Sequence, residues 1–401
     1  MKILKKFFEN ISILFLCIGL LFFVNNSFLP KSLYFFTFSA IIMLLLFLLN
    51  KDNKIYKKNV GFIVFLAYLI FTMVFNYSVN SLNYIIYYIF GIIYMLYFSN
   101  NSYSIKKLID LYYLGTVLFA LFTIFSALFG NLYLKIINTF YYGSESYDMI
   151  IDLFNWHEYS GIAGQTGYNA FTISIGIIIS FFNIFTEYNI HKKIKYKELI
   201  IMILQIVALL LCAKRAILLY TIMTLFMILP VCINMKKKKN LRKLFIISII
   251  VLSIGIIAIN LFEPLGKVFE KNAYYLSRGN LLNGRLPLYK QAIDFFLLNP
   301  ISGIGIKRFY LLNNMKLDVH NVYIQLLAEN GIIGFIIIIT SFFYMISSDL
   351  KLAQRGTMCK YIYISICIQI LFLLYSLTGN TLYDMNMLYI YLCVGSITKV
   401  F

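Results

Sequence analysis

Apolar runs long enough to cross a bilayer recur along almost the whole of this 401-residue chain, and they leave few ways to fold it. In hydrocarbon every backbone N–H and C=O must be satisfied within its own segment, so a chain built of such runs folds as helices. Composition agrees: 61% of residues are hydrophobic, 13% are charged and the mean hydropathy is +0.82. A soluble domain is roughly 45–50% apolar and about 25% charged. The expected fold is an all-α polytopic membrane protein, one integral domain over residues 1–401. The pattern predicts about twelve transmembrane helices, near 11–24, 33–49, 60–75, 84–98, 108–129, 161–186, 199–213, 216–233, 244–262, 331–347, 361–376 and 385–398. The first run follows a basic flank but no A-x-A-like cleavage site follows it, so it reads as an uncleaved first span.

Charge sets the orientation. With the amino terminus inside, the inner connectors KDNKIYKKN, NNSYSIKK, the stretch around HKKIKYK, MKKKKNLRK and 349–360 each carry a Lys/Arg excess. With the two tails they hold 23 of the 35 Lys and Arg, so both termini are expected on the cytoplasmic side of the plasma membrane. The run Lys236 to Lys239 and the net charge of +19 then mark the inner face rather than nucleic-acid binding. Of the cysteines, Cys17, Cys212, Cys232, Cys367 and Cys393 lie in or at the edge of apolar runs, and Cys359 lies in a basic connector. No C-x-x-C or His-rich spacing accompanies them, so they read as packing residues.

Two segments on the expected outer side are long: the acidic, aromatic stretch 130–160 and a loop over 263–330. Pro264, Pro287 and Pro300 break the second into pieces, which predicts several short helices. Structureless loops of this length are uncommon in compact proteins, so the loop is the first place to look for chemistry. Its arginines, Arg278, Arg285 and Arg308, are the better phosphate ligands because a planar guanidinium matches phosphate geometry, although a mixed-charge solvated surface is the plainer reading of its lysines. Lys214 and Arg215 interrupt the apolar stretch LLLCAKRAILLY and predict a tight turn between two helices on the same outer side. His320 is one of three histidines in the chain, and an imidazole that titrates near neutral pH is the usual general base. If DVHNVYIQLLAEN is helical, His320 and Glu329 lie on opposite faces and form no local dyad, whereas Gln325 and Glu329 share one. No G-x-x-x-x-G-K-[ST], no strand-associated G-x-G-x-x-G, no Asp-x-Asp pair in an outer loop and no serine nucleophile elbow is found, so no nucleotide, cofactor or metal is expected.

Taken together, NGRLPLYKQAIDFFLLNPISGIGIKRF followed by DVHNVYIQLLAENGIIGF resembles the signature of the bacterial O-antigen ligase and polysaccharide polymerase superfamily. The matching positions are Gly284, Arg285, Tyr289, Asn299, Pro300, Gly303, Gly305, His320, Asn321, Glu329, Gly331 and Gly334. Upstream, CAKRAILL resembles a further family motif with Arg215 kept and Lys214 and Ala216 replacing its neighbours, and GIAGQTGYNAF resembles another through Gly167 and Asn169. The resemblance implies a metal-independent, multi-span glycosyltransferase acting at the outer face of the cytoplasmic membrane on a glycan carried by a polyprenyl (undecaprenyl) diphosphate. On that reading His320 is the base, Arg285 and Arg215 hold the diphosphate, and Arg278, Arg308, Asn321, Glu329 and Lys214 are further substrate contacts. The expected role is polymerase of surface polysaccharide repeat units, such as O-antigen or capsule, with lipid-linked oligosaccharide, membrane lipid and a chain-length regulator as partners. An O-antigen-type ligase is the alternative within the superfamily, and a lipid-linked oligosaccharide flippase the alternative outside it.

Overall fold

The computed structural model describes residues 2–22, 29–141, 145–193, 195–232, 285–354 and 360–398. The expected run 244–262, the start of the long loop, Arg278, Cys359 and the Lys236 to Lys239 run lie outside them. Every other expected run coincides with a helix. In chain order these are α1 (Lys2–Phe22), α2 (Leu29–Leu48), α3 (Lys57–Phe75), α4 (Val79–Asn100), α5 (Ser102–Leu128), α6 (Gly130–Tyr141), α7 (Glu145–Asn155), α8 (Thr166–His191), α9 (Tyr196–Leu211), α10 (Arg215–Cys232), α11 (Leu286–Leu298), α12 (Phe309–Leu312), α13 (Val322–Gln354), α14 (Lys360–Tyr375) and α15 (Met385–Gly395). Among the described residues α3, α4, α5, α8 and α13 are long and apolar enough to cross a membrane, and shorter apolar stretches lie in α2, α10, α14 and α15.

Several polar connectors turn out to be helical. NNSYSIKK, expected to be a loop, contributes the end of α4 and the start of α5, with only Asn101 between them. A helix can continue past its apolar segment into water at little cost, so hydropathy underestimates its length. The acidic stretch after residue 130 is likewise folded, as α6 and α7.

Helices that are apolar all round must be enclosed, and α15 is the clearest case: Asn386 through Gly395 are all buried. Small residues let its neighbours approach. An added Cβ at Gly91 of α4 would meet Leu392 and Tyr389 of α15, and one at Gly61 of α3 would meet Ser341 of α13. Aromatic rings fill the remaining space, as where Phe372 of α14 and Tyr391 of α15 lie 4.6 Å apart between centroids.

The bundle is tied at one end by a buried ion pair. Lys58 Nζ lies 3.0 Å from Asp349 Oδ1, with the two side chains 5% and 0% exposed. Lys58 also donates to the carbonyls of Gly395 and Ile397, capping the carboxyl end of α15. Asp349 Oδ2 accepts from Ser365 Oγ and Gln369 Nε2, each at 2.8 Å. One pair thereby joins α3, α13, α14 and α15. Lys58→Met leaves a buried carboxylate without its cation, which costs about 3–5 kcal/mol. The expected outcome is a large drop in Tm in detergent, with Lys58→Met/Asp349→Leu recovering most of it.

Candidate functional site

The opposite end of the bundle holds a cavity of about 770 Å³. Its lining comes from four regions far apart in sequence: the α7–α8 segment, the α9–α10 turn, the long loop expected on the outer side through Arg285 and His320, and the α14–α15 loop. Lys214, Arg215, Arg285 and His320 all line it, so four of the residues singled out by sequence meet in one place.

The α9–α10 turn has to reverse two apolar helices within three residues, and Ala213 does so with φ +57°. The chain around Glu158 clamps the turn. Tyr159 N donates to Leu211 O (3.2 Å), and Lys214 Nζ lies 3.1 Å from Glu158 Oε2. From α8, Asn169 Nδ2 reaches Cys212 Sγ at 3.3 Å and Thr123 Oγ1 at 2.8 Å, which ties the turn to α5. Gly167 also lines the cavity, and a Cβ there would come within 2.7 Å of the Tyr375 hydroxyl. Arg215 heads α10 exposed and unpaired among the described residues, whereas Arg285 Nη1 donates to Thr378 O at 2.9 Å.

His320 is placed by the segment on either side of it. Two glycines let the loop lie backbone to backbone against α13. Gly303 has φ +68° and Gly331 φ +59°, and a Cβ at Gly303 would sit 2.3 Å from the Glu329 carbonyl carbon. Gly305 N donates to Glu329 O (2.8 Å), and Ile332 N to Pro300 O (2.9 Å). The glycine pair after Asn299–Pro300 is therefore a packing device. Glu329, fully buried, accepts from the N–H groups of Lys307 (2.9 Å) and Phe309 (3.1 Å) and from Gln325 Nε2 (3.3 Å). Gln325 Nε2 also donates to Asp318 Oδ1 (3.1 Å) and its Oε1 accepts from Val319 N (3.2 Å), which fixes the residues just before the histidine.

The helix expected over DVHNVYIQLLAEN starts only after His320. His320 takes φ +58°, and Asn321 Oδ1 accepts from Tyr323 N (3.0 Å) and Ile324 N (3.2 Å), so Asn321 caps α13. A left-handed histidine directly before the cap turns its ring out of the helix and toward the cavity, an uncommon backbone state that its neighbours must hold. Not every expected contact reaches the cavity. Arg308 Nη1 donates to Asn76 Oδ1 (2.9 Å) and Ile304 O (3.1 Å), tying the loop to the end of α3, and Glu329 and Asn321 are occupied by backbone.

Burial, then the positive charge of Arg285, pushes the His320 imidazole down to about 4, with Lys214 and Lys307 adding to the effect and Asp318 opposing it. At neutral pH the ring is uncharged and carries a lone pair. Its Nδ1 lies 3.4 Å from Asn380 Nδ2, while Asn380 Oδ1 is buried with no hydrogen-bond partner. Sequence reasoning left out Glu158, Asn380 and Asp384 as site residues. Glu158 and Asp384 carried one signal, being rare carboxylates at helix ends. Asp384 caps α15 through Oδ1, accepting from Asn386 N (3.0 Å) and Met387 N (3.2 Å), and burial raises its carboxyl to about 6 against those two bonds.

Gly303→Ala tests the loop contact. The left-handed backbone alone costs about 1–3 kcal/mol for a non-glycine residue, and the methyl meets main chain that has no side-chain freedom to yield. A lowered Tm and a lowered membrane level are expected together.

No curated protein matches the chain. Residues 200–339 match the family model described as O-antigen ligase, a segment that takes in the Lys214–Arg215 turn, Arg285, the paired glycines, His320 and Glu329. The part of the chain that builds the cationic, histidine-bearing side of the cavity is thus similar to the O-antigen ligases, which supports the O-antigen ligase and polysaccharide polymerase superfamily.

Proposed function

We propose that the protein polymerises surface polysaccharide repeat units, moving a glycan from a polyprenyl-diphosphate donor to a sugar hydroxyl of another lipid-linked glycan. The O-antigen ligase match over residues 200–339 supports a role in surface polysaccharide assembly. The observation that carries the proposal is the meeting of a neutral, half-buried His320 with Lys214, Arg215 and Arg285 around one cavity. All four regions that line it are ones the charge pattern assigns to the outer face, where a donor flipped across the membrane is found.

In the reaction, His320 accepts the proton of the acceptor hydroxyl as its oxygen bonds to the anomeric carbon. The bond from that carbon to the diphosphate breaks, and the electron pair leaves on phosphate oxygen. Arg285 and Arg215 stabilise the departing charge in a site partly closed to water, the electrostatic contribution that preorganised cations make best. Lys214 adds to the field while held by Glu158. Arg278, outside the described residues, remains a further phosphate ligand on this reading. Asn380 orients the base. Exchanging its amide O and N lets Oδ1 accept from His320 Nδ1–H, which gives the orphaned oxygen a partner and leaves the lone pair on Nε2.

The glycan profile of a strain lacking the gene, complemented at matched membrane levels, tests this. His320→Ala is expected to leave single repeat units where wild type gives a ladder. Full-length chains accumulating on the lipid carrier and missing from the surface would instead mean a ligase, and donor trapped on the inner face a flippase. Arg285→Gln and Arg215→Gln are expected to lose transfer by about 10²–10³-fold, as for other removed electrostatic groups. Arg308→Gln, which lies away from the cavity, changes stability more than rate.

The acid limb supplies a second test. Because His320 must be neutral to act, kcat/KM should hold as pH falls below 6.5 and drop only near 4, the free-enzyme value. A bound diphosphate raises the imidazole pKa, so the acid limb of kcat lies at higher pH than that of kcat/KM. Asn380→Asp places a carboxylate beside the ring and should move both limbs upward.

A further inference from the structure

We infer that α11 lies in the lipid–water interface with one apolar stripe immersed in the membrane, rather than in the aqueous phase of the long loop. Leu286, Ile293 and Leu297 are 51%, 47% and 67% exposed. At 100° per residue they fall within about 40° of one another around the helix axis. Lys290 and Asp294, both exposed, lie together at one flank of that stripe. The other side of the helix is already used: Leu288 and Ala292 are buried, and Phe295 meets Phe309 edge-on at 5.9 Å. A stripe of large apolar side chains with charges along one edge is the pattern of a helix lying in the plane of the interface.

Lipid is the occupant because the stripe is continuous with the faces of two helices long enough to cross the membrane. Leu298 at the end of α11 and Ile301 beyond it are 75% and 64% exposed, and the next residue along the fold, Ile332 of α13, is reached through the bond from its N–H to Pro300 O (2.9 Å). Tyr68 of α3 donates to Asn330 O at 2.6 Å, which brings the neighbouring exposed residues of α3, Ile70 and Phe71 at 44% and 62%, to about the same level. Resting on the proposed function, this has a consequence for the donor. Arg285 directly precedes Leu286, so the guanidinium sits at the end of an immersed helix, at the depth where the diphosphate of a membrane-borne polyprenyl lipid lies.

Single tryptophans in proteoliposomes decide it, in the full chain with its one native tryptophan replaced (Trp156→Phe). With 6,7-dibromophosphatidylcholine, fluorescence of Ile293→Trp and Leu297→Trp is expected to fall at least about twofold further than that of Asp294→Trp, with iodide giving the reverse order. Quenching of both stripe positions by iodide but not by bromolipid would put α11 in water, and protection from both quenchers would mean that protein covers it. Either result overturns the inference. The readout needs no turnover, so a failed transferase reading would leave it intact, and a failed immersion would leave the transferase reading to its own tests.

Discussion

The approach of two main-chain segments at Gly303 and Gly331 is the contact on which the site depends. Neither position tolerates a Cβ, since each would overlap carbonyl or amide atoms of the other segment at under 2.8 Å. With those atoms in contact, Gly305 N reaches Glu329 O, and the buried Glu329 carboxylate satisfies the amides of Lys307 and Phe309. A buried carboxylate without such donors would be costly, so the loop and the start of α13 hold each other in one arrangement. His320 inherits its position from that lock: it lies between Asp318, fixed through Gln325, and Asn321, committed to the helix cap.

The cavity follows from the same economy of placement. A helix bundle can bring connections distant in sequence together only at its ends, and here one end is sealed by Lys58 and Asp349 while the other is left open. Charges that would be expensive within the bilayer gather at the open end, where water and an anionic ligand can both compensate them. Burial first, and then their crowding, holds the histidine neutral. The cations around the cavity disfavour a protonated imidazole, and an anion bound there would relieve that pressure.

Much of this was legible in the residues. Apolar runs located the helices because hydrocarbon demands them, and the turn at Lys214–Arg215 was readable because two charges cannot remain mid-span. His320 and Arg285 stood out within an ordered set of motifs that the family match also covers. Individual roles were less legible. Arg308 and Arg285 are alike in sequence, yet one donates to Asn76 near α3 and the other lines the cavity. Glu329 and Asn321 looked like substrate contacts and are engaged by backbone amides.

Hydropathy and charge, which act residue by residue along the chain, were enough to determine a helical membrane protein and to mark the segments richest in chemistry. Only the tertiary structure decided which of those segments meet. Asn380 and Asp384 lie in a short loop with no motif of its own, and they reach His320 and the cations because α14 and α15 pack against α13. Proximity across 60 residues, as between His320 and Asn380, depends on how whole helices pack, and no local pattern encodes it.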